Sequence, residues 1–322
     1  MGTTGPTAPL NDVAQSRAFN GNLPQEKSWG FFYLMVKNME VKKPTTYEEQ
    51  LSILEQRGII LDDREFCMEK LNEIGYYRFT GYALPFKNSD SNTYSNVTFK
   101  RIYYIYQFDS NLRAIFFSCI EDIEIYLRSN FSYYFASKYD SLGYTDPNNF
   151  KSVHNHKKFK EKYESEIENN KTVAFVKHHI EQYDNQFPLW VLMELFTFGM
   201  LSYFYADLKP EDRKALAFQL YDTTEKKLSN WLICCTDLRN ICSHYGRLYY
   251  RMFSAVPKVD GSYQQRIRLW GYLNVLKNLY PHKQKWNDVI VPRIIRIFDL
   301  FSVDIDLYHI AFPDNWKELI IK

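Results

Sequence analysis

Between residues 99 and 138, apolar side chains recur at steps of three or four: Ile105, Phe108, Leu112, Ile115, Cys119, Ile123 and Leu127. That spacing predicts one long helix with a single buried stripe, and a stripe of that length needs several other helices to cover it. The rest of the chain supplies them. Residues 47–57 carry Leu51 and Leu54 at helical spacing, with Glu48 and Glu49 in the first turn and Gly58 as the stop. A second helix is expected over 62–74, with Asp62 as N-cap, Glu65 in the capping-box position and Gly75 at the end. The aromatic run from Tyr76 to Tyr82 reads as a packed connector, and 88–96 as a surface loop. A charged, solvated helix is expected over 151–171. An apolar helix should run from Pro188 to Leu208 with a break at Gly199, and a short one should begin at Pro210 and Asp212. Further helices are expected over 224–242, 265–279 and 283–301. With no sustained period-two alternation and no internal repeat, the expected fold is all-α.

A chain of 322 residues with 45% hydrophobic and 24% charged residues can bury a proper core. Its 26 Tyr and 24 Phe suit wet cores, interfaces and base-stacking surfaces alike. Cys67, Cys119, Cys234, Cys235 and Cys242 form no CxxC pair, which points to a reducing compartment and to a cytoplasmic protein. The apolar run at 29–36 is too short to span a bilayer and lacks the flanks of a signal peptide, so no membrane is expected. Residues 1–41, rich in Gly, Thr, Pro and Asn, read as a flexible leader. Charge is unevenly spread. From Arg239 to Arg296, eleven Lys and Arg face only Asp260 and Asp288, a balance of +9; the overall +2 leaves −7 for the remainder. Such a basic segment suits a polyanion, or else forms a solvated face whose counter-charges lie elsewhere in the fold.

At the start of that segment Arg239-Asn240-Ile241-Cys242-Ser243-His244 follows the pattern Arg, four residues, His. With 15 Arg and 7 His in the chain, a match at a tolerated spacing is expected about once by chance. Its neighbourhood adds chemistry. On a continuing helix Asn240, His244 and Arg247 would share one stripe. An imidazole exchanges protons near neutrality, and guanidinium forks hold a phosphate and stabilise charge growing on its oxygens. RNA carries its own nucleophile in the 2′-OH, so phosphodiester cleavage there needs no metal-bound water. The same residues can equally form an Arg–Asn–His network that glues helices together.

The string Leu238-Arg239-Asn240-Ile241-Cys242-Ser243-His244-Tyr245-Gly246-Arg247-Leu248 resembles the signature of the Abi family of abortive-infection proteins, AbiD/AbiF type, and its HEPN nuclease motif. Lys43 to Leu51, Arg57-Gly58-Ile59 and Ile74 to Tyr82 resemble the family's N-terminal block. Phe108-Asp109, Leu112-Arg113, Ile123-Glu124-Ile125 and Arg128 resemble its central helix, and Trp190, Glu194 and Phe198 to Ser202 the block before the motif. The resemblance covers about residues 42–251. It implies a HEPN-like helical bundle with an N-terminal helical extension at 42–98 and a nuclease core at 99–255; the additional C-terminal helices, in a basic region at 256–322, come from the residue pattern and lie outside the resemblance. It also implies metal-independent endoribonuclease activity with Arg239, His244 and Asn240 as catalytic residues, no cofactor, and 2′,3′-cyclic phosphate and 5′-hydroxyl ends. The implied role is a toxin of anti-phage defence, held in check by a structured non-coding RNA. Arg247, Arg266, Arg268, Lys283, Lys285, Arg293 and Arg296 are the candidate phosphate contacts.

One motif per chain suggests a homodimer, because 2′-OH attack wants one group to take a proton and another to give one, and a two-fold axis supplies both. Other candidates divide between function and structure. Asp109 and Glu194 can orient catalytic groups or pair with Arg113 or Arg128. His154 and His156, with Lys157, Lys158 and Lys160, can touch phosphates or form a solvated basic turn. His178-His179 lacks partners for zinc. Tyr76, Tyr77, Phe79 and Tyr82 can stack bases or pack the core, and Cys234-Cys235 reads as packing. The alternatives to a nuclease are a non-catalytic RNA-binding module that uses the same basic surface, and a protein-interaction scaffold.

Overall fold

The computed structural model describes residues 43–322, so the leader expected at 1–41 lies outside the described residues. Residues 46–322 form one compact unit, helical almost throughout. Helix α1 (Tyr47–Gln56) starts in a capping box, Thr46 with Glu49, and buries Leu51 and Leu54. A parallel pair of two-residue strands, β1 (Ile59–Ile60) and β2 (Val97–Thr98), is the sole named sheet among the described residues. The chain reaches β1 through Gly58, whose φ is +92°; a Cβ there would meet the Tyr94 carbonyl oxygen at 2.6 Å. Helix α2 (Arg64–Ile74) begins one residue later than expected: Asp63, not Asp62, is the N-cap, accepting from the Phe66 amide. The aromatic connector is itself a helix, α3 (Tyr76–Tyr82), with Phe79 and Tyr82 buried.

Helix α4 (Phe99–Tyr139) is the predicted rod, 41 residues from its Thr98 cap to Asp140. All seven residues of its predicted stripe are buried. Each buried Leu, Ile or Phe side chain contributes about 1.5–3 kcal/mol, so the rod is stable only while its coat is in place. The charged helix is α5 (His156–Asn169), followed by α6 (Ala174–Gln182). The apolar stretch after Pro188 breaks at Thr197 rather than at Gly199. A single turn, α7 (Leu189–Leu192), passes through 3-10 geometry, and α8 (Phe198–Asp207) restarts with Thr197 accepting from the Met200 amide. Helices α9 (Pro210–Tyr221) and α10 (Glu225–Ser243) follow as expected. Beyond α11 (Tyr263–Arg266) and α12 (Leu269–Leu279), the last long stretch is not uniform. Helix α13 (Lys283–Lys285) runs through a π turn at Trp286–Ile290 into α14 (Val291–Leu300). Pro292 lacks an amide hydrogen and its ring would clash with the Asp288 carbonyl, and a wider turn accommodates both problems. Short helices α15 (Leu307–Ile310) and α16 (Trp316–Leu319) close the chain.

Helices α3, α7, α8, α10, α12 and α14 all pack against α4. The chain thus builds its coat from both ends of the sequence. The five cysteines are free and buried, and burial pushes the Cys234 and Cys242 thiols up to about 12, so they act as packing atoms. Among the described residues no helix is long and apolar enough to cross a membrane.

Near its C-terminal end α4 is pinned to α9 by the fully buried Asp212, which accepts from Lys138, from the Tyr134 hydroxyl at 2.9 Å and from the Tyr139 hydroxyl at 2.7 Å. Burial raises the Asp212 pKa, but Lys138 and the Tyr139 and Tyr134 hydroxyls outweigh it, and the net direction is down from 3.8. A lowered folded-state pKa stabilises the fold above the ordinary carboxyl range, and that contribution fades as pH falls through the folded value. Asp212→Asn is therefore expected to lose about 1–3 kcal/mol at neutral pH in urea unfolding. Its deficit relative to the parent should shrink as the pH is brought below 3.8.

Candidate active site

Helix α10 carries the motif at its C-terminal end. Thr224 caps its start, and Leu228, Leu232, Cys235, Leu238 and Cys242 face the core. That burial fixes which way the remaining side chains point. Arg239 is half-buried, while Asn240 and His244 are exposed. Among the described residues, no hydrogen bond or ion pair engages the side chain of any of the three, so the alternative Arg–Asn–His network is not formed there. His244 is the C-cap residue, its amide bonded to the Asn240 carbonyl at 3.1 Å. Arg239 sits five residues earlier, about 7.5 Å back along the axis and about 140° around it. A long guanidinium arm and an imidazole at a helix end can address one anion from that geometry.

The helix stops in a Schellman motif. The Gly246 amide bonds the Ile241 carbonyl at 2.7 Å and the Tyr245 amide bonds Cys242 at 3.2 Å. Tyr245 takes the left-handed position at φ +56°, where glycine is usual, at a cost of about 1–2 kcal/mol. Gly246 is the residue that closes the turn, since a Cβ would press on Ile241 at 3.0 Å. This turn overturns the expected stripe: Arg247 does not continue the line of Asn240 and His244. Its guanidinium instead donates to the Gly81 carbonyl of α3, and burial, with Arg251 nearby, holds its pKa below the usual arginine value. Arg247 ties the motif to the fold.

The loop after His244 is held from below by Asp109 on α4, which is fully buried. Its carboxylate accepts from the Leu248 amide at 3.0 Å, the Tyr249 amide at 2.6 Å and the Tyr82 hydroxyl at 2.7 Å, and pairs with Arg113 one turn along α4. Arg113 also donates to Tyr82 at 3.1 Å and to the Gly246 carbonyl at 3.3 Å. Burial lifts the Asp109 pKa, against the pull of Arg113, Tyr82 and the two amides. Arg78 on α3 donates to the Tyr245 carbonyl at 2.7 Å. Two arginines thus grip carbonyls of the turn, a third reaches from it to α3, and one carboxylate takes the amides that follow. Neither the Arg78 contact nor the Asp109–amide contacts had a sequence signal, because the partners lie 167 and about 140 residues apart.

The remaining candidates scatter. Lys285 pairs with Asp122 on α4 at 2.7 Å, and Arg293 lies in the same charged neighbourhood, near Cys119. Thirteen residues separate Asp122 from Asp109, which places this group about 20 Å along α4 from the motif turn. Lys283, Arg293 and Arg296 are exposed. Arg266 is half-buried. Arg268 stacks over Tyr250 at 5.5 Å and donates to the His309 carbonyl. The basic segment is therefore two groups rather than one patch.

Glu194 pairs with Arg128 at 3.4 Å from an exposed position. His154 is neither solvated nor open to phosphate: it is buried against Phe150 and bonded to Asp207 at 3.0 Å and to His156 at 3.3 Å. His179 bonds the Phe175 carbonyl within its own helix. The aromatic cluster divides, with Phe79 and Tyr82 in the core and Tyr77 outside. Among the described residues, no cluster of three or more His, Cys, Asp and Glu is placed to hold a metal ion.

Removing the Asp109 carboxylate strands a buried guanidinium and two amides. Asp109→Ala should cost about 3–5 kcal/mol. Asp109→Asn, which keeps an acceptor, should fold but exchange its Leu248 and Tyr249 amide protons markedly faster than the parent; unchanged protection at those two positions would show that the clamp does not hold the turn.

A family model described as Abi-like protein matches residues 69–250, from within α2 to just past the turn that Asp109 holds. No curated protein and no solved structure matches the chain.

Proposed function

The chain belongs to the Abi-like protein family, and from that premise we propose that it acts in abortive-infection defence as an endoribonuclease of the HEPN type. The observation that carries the reading is the state of the motif. Among the described residues, the side chains of Arg239, Asn240 and His244 are uncommitted at a helix end, while the residues around them are spent on holding that end still. Side chains kept only for structure would be engaged.

In the proposed reaction the 2′-OH of RNA attacks its own 3′ phosphorus. One imidazole takes the 2′ proton, the bond from phosphorus to the 5′ oxygen breaks, and a second group returns a proton to that oxygen. Arg239 balances the charge that grows on the non-bridging oxygens. The products are a 2′,3′-cyclic phosphate and a 5′-hydroxyl. One chain offers one exposed His244, so the acid and the base come from two copies around a two-fold axis. A regulatory RNA, held by the exposed Lys283, Arg293 and Arg296, restrains the enzyme until infection.

Purified protein with labelled RNA in excess EDTA tests the reading. Cutting is expected, with cyclic-phosphate ends. His244→Ala should lower the rate by about 10²–10⁴-fold and Arg239→Ala by about 10²–10³-fold, with folding intact. Tight RNA binding without cutting would instead favour a non-catalytic RNA module. Sedimentation at micromolar concentration is expected to give a dimer; a strict monomer that still cuts would refute the shared site.

A further inference from the structure

Tyr245 combines a strained backbone with an exposed side chain. It occupies a left-handed backbone position that glycine fills without strain, yet its ring is 70% exposed and gains little from packing. The backbone beneath it is fixed three ways: by the Schellman bonds, by Arg78 on its carbonyl at 2.7 Å, and by Asp109 on the amides that follow. A ring mounted rigidly, left bare and adjacent in sequence to His244 is a pre-set surface. One residue before Arg78 on α3, Tyr77 is 92% exposed. Each aromatic thus stands next to a residue of the clamp.

We propose that Tyr245 is a stacking platform for a nucleobase of the RNA strand whose phosphate meets Arg239 and His244. This deepens the nuclease reading and rests on it. Stacking on an aromatic face tolerates any base and needs no hydrogen-bond partner. It suits single strands, whose bases are free to turn outward. The platform would set which nucleotide lies against the imidazole and so align the adjacent 2′-OH. Tyr245 is a positioning residue here, because the ring donates no proton to the reaction.

The test uses full-length protein carrying His244→Ala, so that RNA is bound and not cut. Fluorescein-labelled oligoadenylate is titrated at fixed salt, with labelled heparin as a polyanion that has no bases. Adding Tyr245→Ala should weaken oligoadenylate binding by about five- to hundred-fold and leave heparin binding unchanged. Tyr245→Trp should bind oligoadenylate as the parent does. Tyr245→Gly should lose affinity like the alanine variant while its melting temperature holds or rises, because glycine relieves the turn. Oligoadenylate affinity untouched by Tyr245→Ala, or lost equally for heparin, overturns the platform and leaves the nuclease reading standing. A parent that binds no RNA at all brings down both.

Discussion

A buried carboxylate with no partner is among the most costly features a fold can carry, and Asp109 is placed where that cost enforces order. It sits on the central helix with its oxygens turned toward the chain segment that follows the motif. The Leu248 and Tyr249 amides have no helix or sheet to satisfy them, and the carboxylate takes both. Arg113 and Tyr82 complete its shell and bring α3 into the same network. Loss of any member exposes the others to desolvation without compensation, so the turn has one low-energy arrangement. A candidate site at a helix end needs that restraint, since helix ends fray.

The same economy explains which polar side chains are free. Arg78, Arg113 and Arg247 each spend a guanidinium on a backbone carbonyl: those of Tyr245, Gly246 and Gly81. Arg239 has no side-chain hydrogen bond or ion pair among the described residues. The Schellman closure separates the two populations. Up to Ser243 the helical repeat governs direction, and beyond Tyr245 the chain reverses, so Arg247 points into the structure although it is only three residues past His244.

The helices were legible because burial of one stripe imposes a period, and that period is written locally. Ile105 to Leu127 named the central rod before any contact was known. Boundaries were less legible where two residues compete for one role. Asp62 was the expected cap, and backbone geometry gives the role to its neighbour Asp63. Thr197 broke the apolar stretch as an N-cap while Gly199, the expected breaker, lies inside α8. At the site, the Arg239 to His244 spacing was visible, but the stripe that included Arg247 assumed a helix that does not continue. Asp109 could be weighed as catalytic or structural from sequence, and only its contacts across some 140 residues decide for the clamp.

Charge in the C-terminal half requires the same distinction between what is present and what is available. Eleven cationic side chains from Arg239 to Arg296 suggested one polyanion surface. Lys285 is neutralised by Asp122, Arg247 and Arg268 are bound to carbonyls, and Lys277 donates to the Leu319 carbonyl. Arg251 donates to the Arg247 carbonyl, so what remains for a phosphate chain is Arg239 at the motif, the exposed Lys258, the half-buried Arg266 and an exposed group on α13 and α14 about 20 Å along the rod. A nucleic-acid backbone releases counterions only where cations actually meet it, so the count that matters is the unpaired one. In the proposed reaction, a strand held at the distant group must span that distance to reach His244. Such a path lets retention and cleavage be governed by different residues of one molecule.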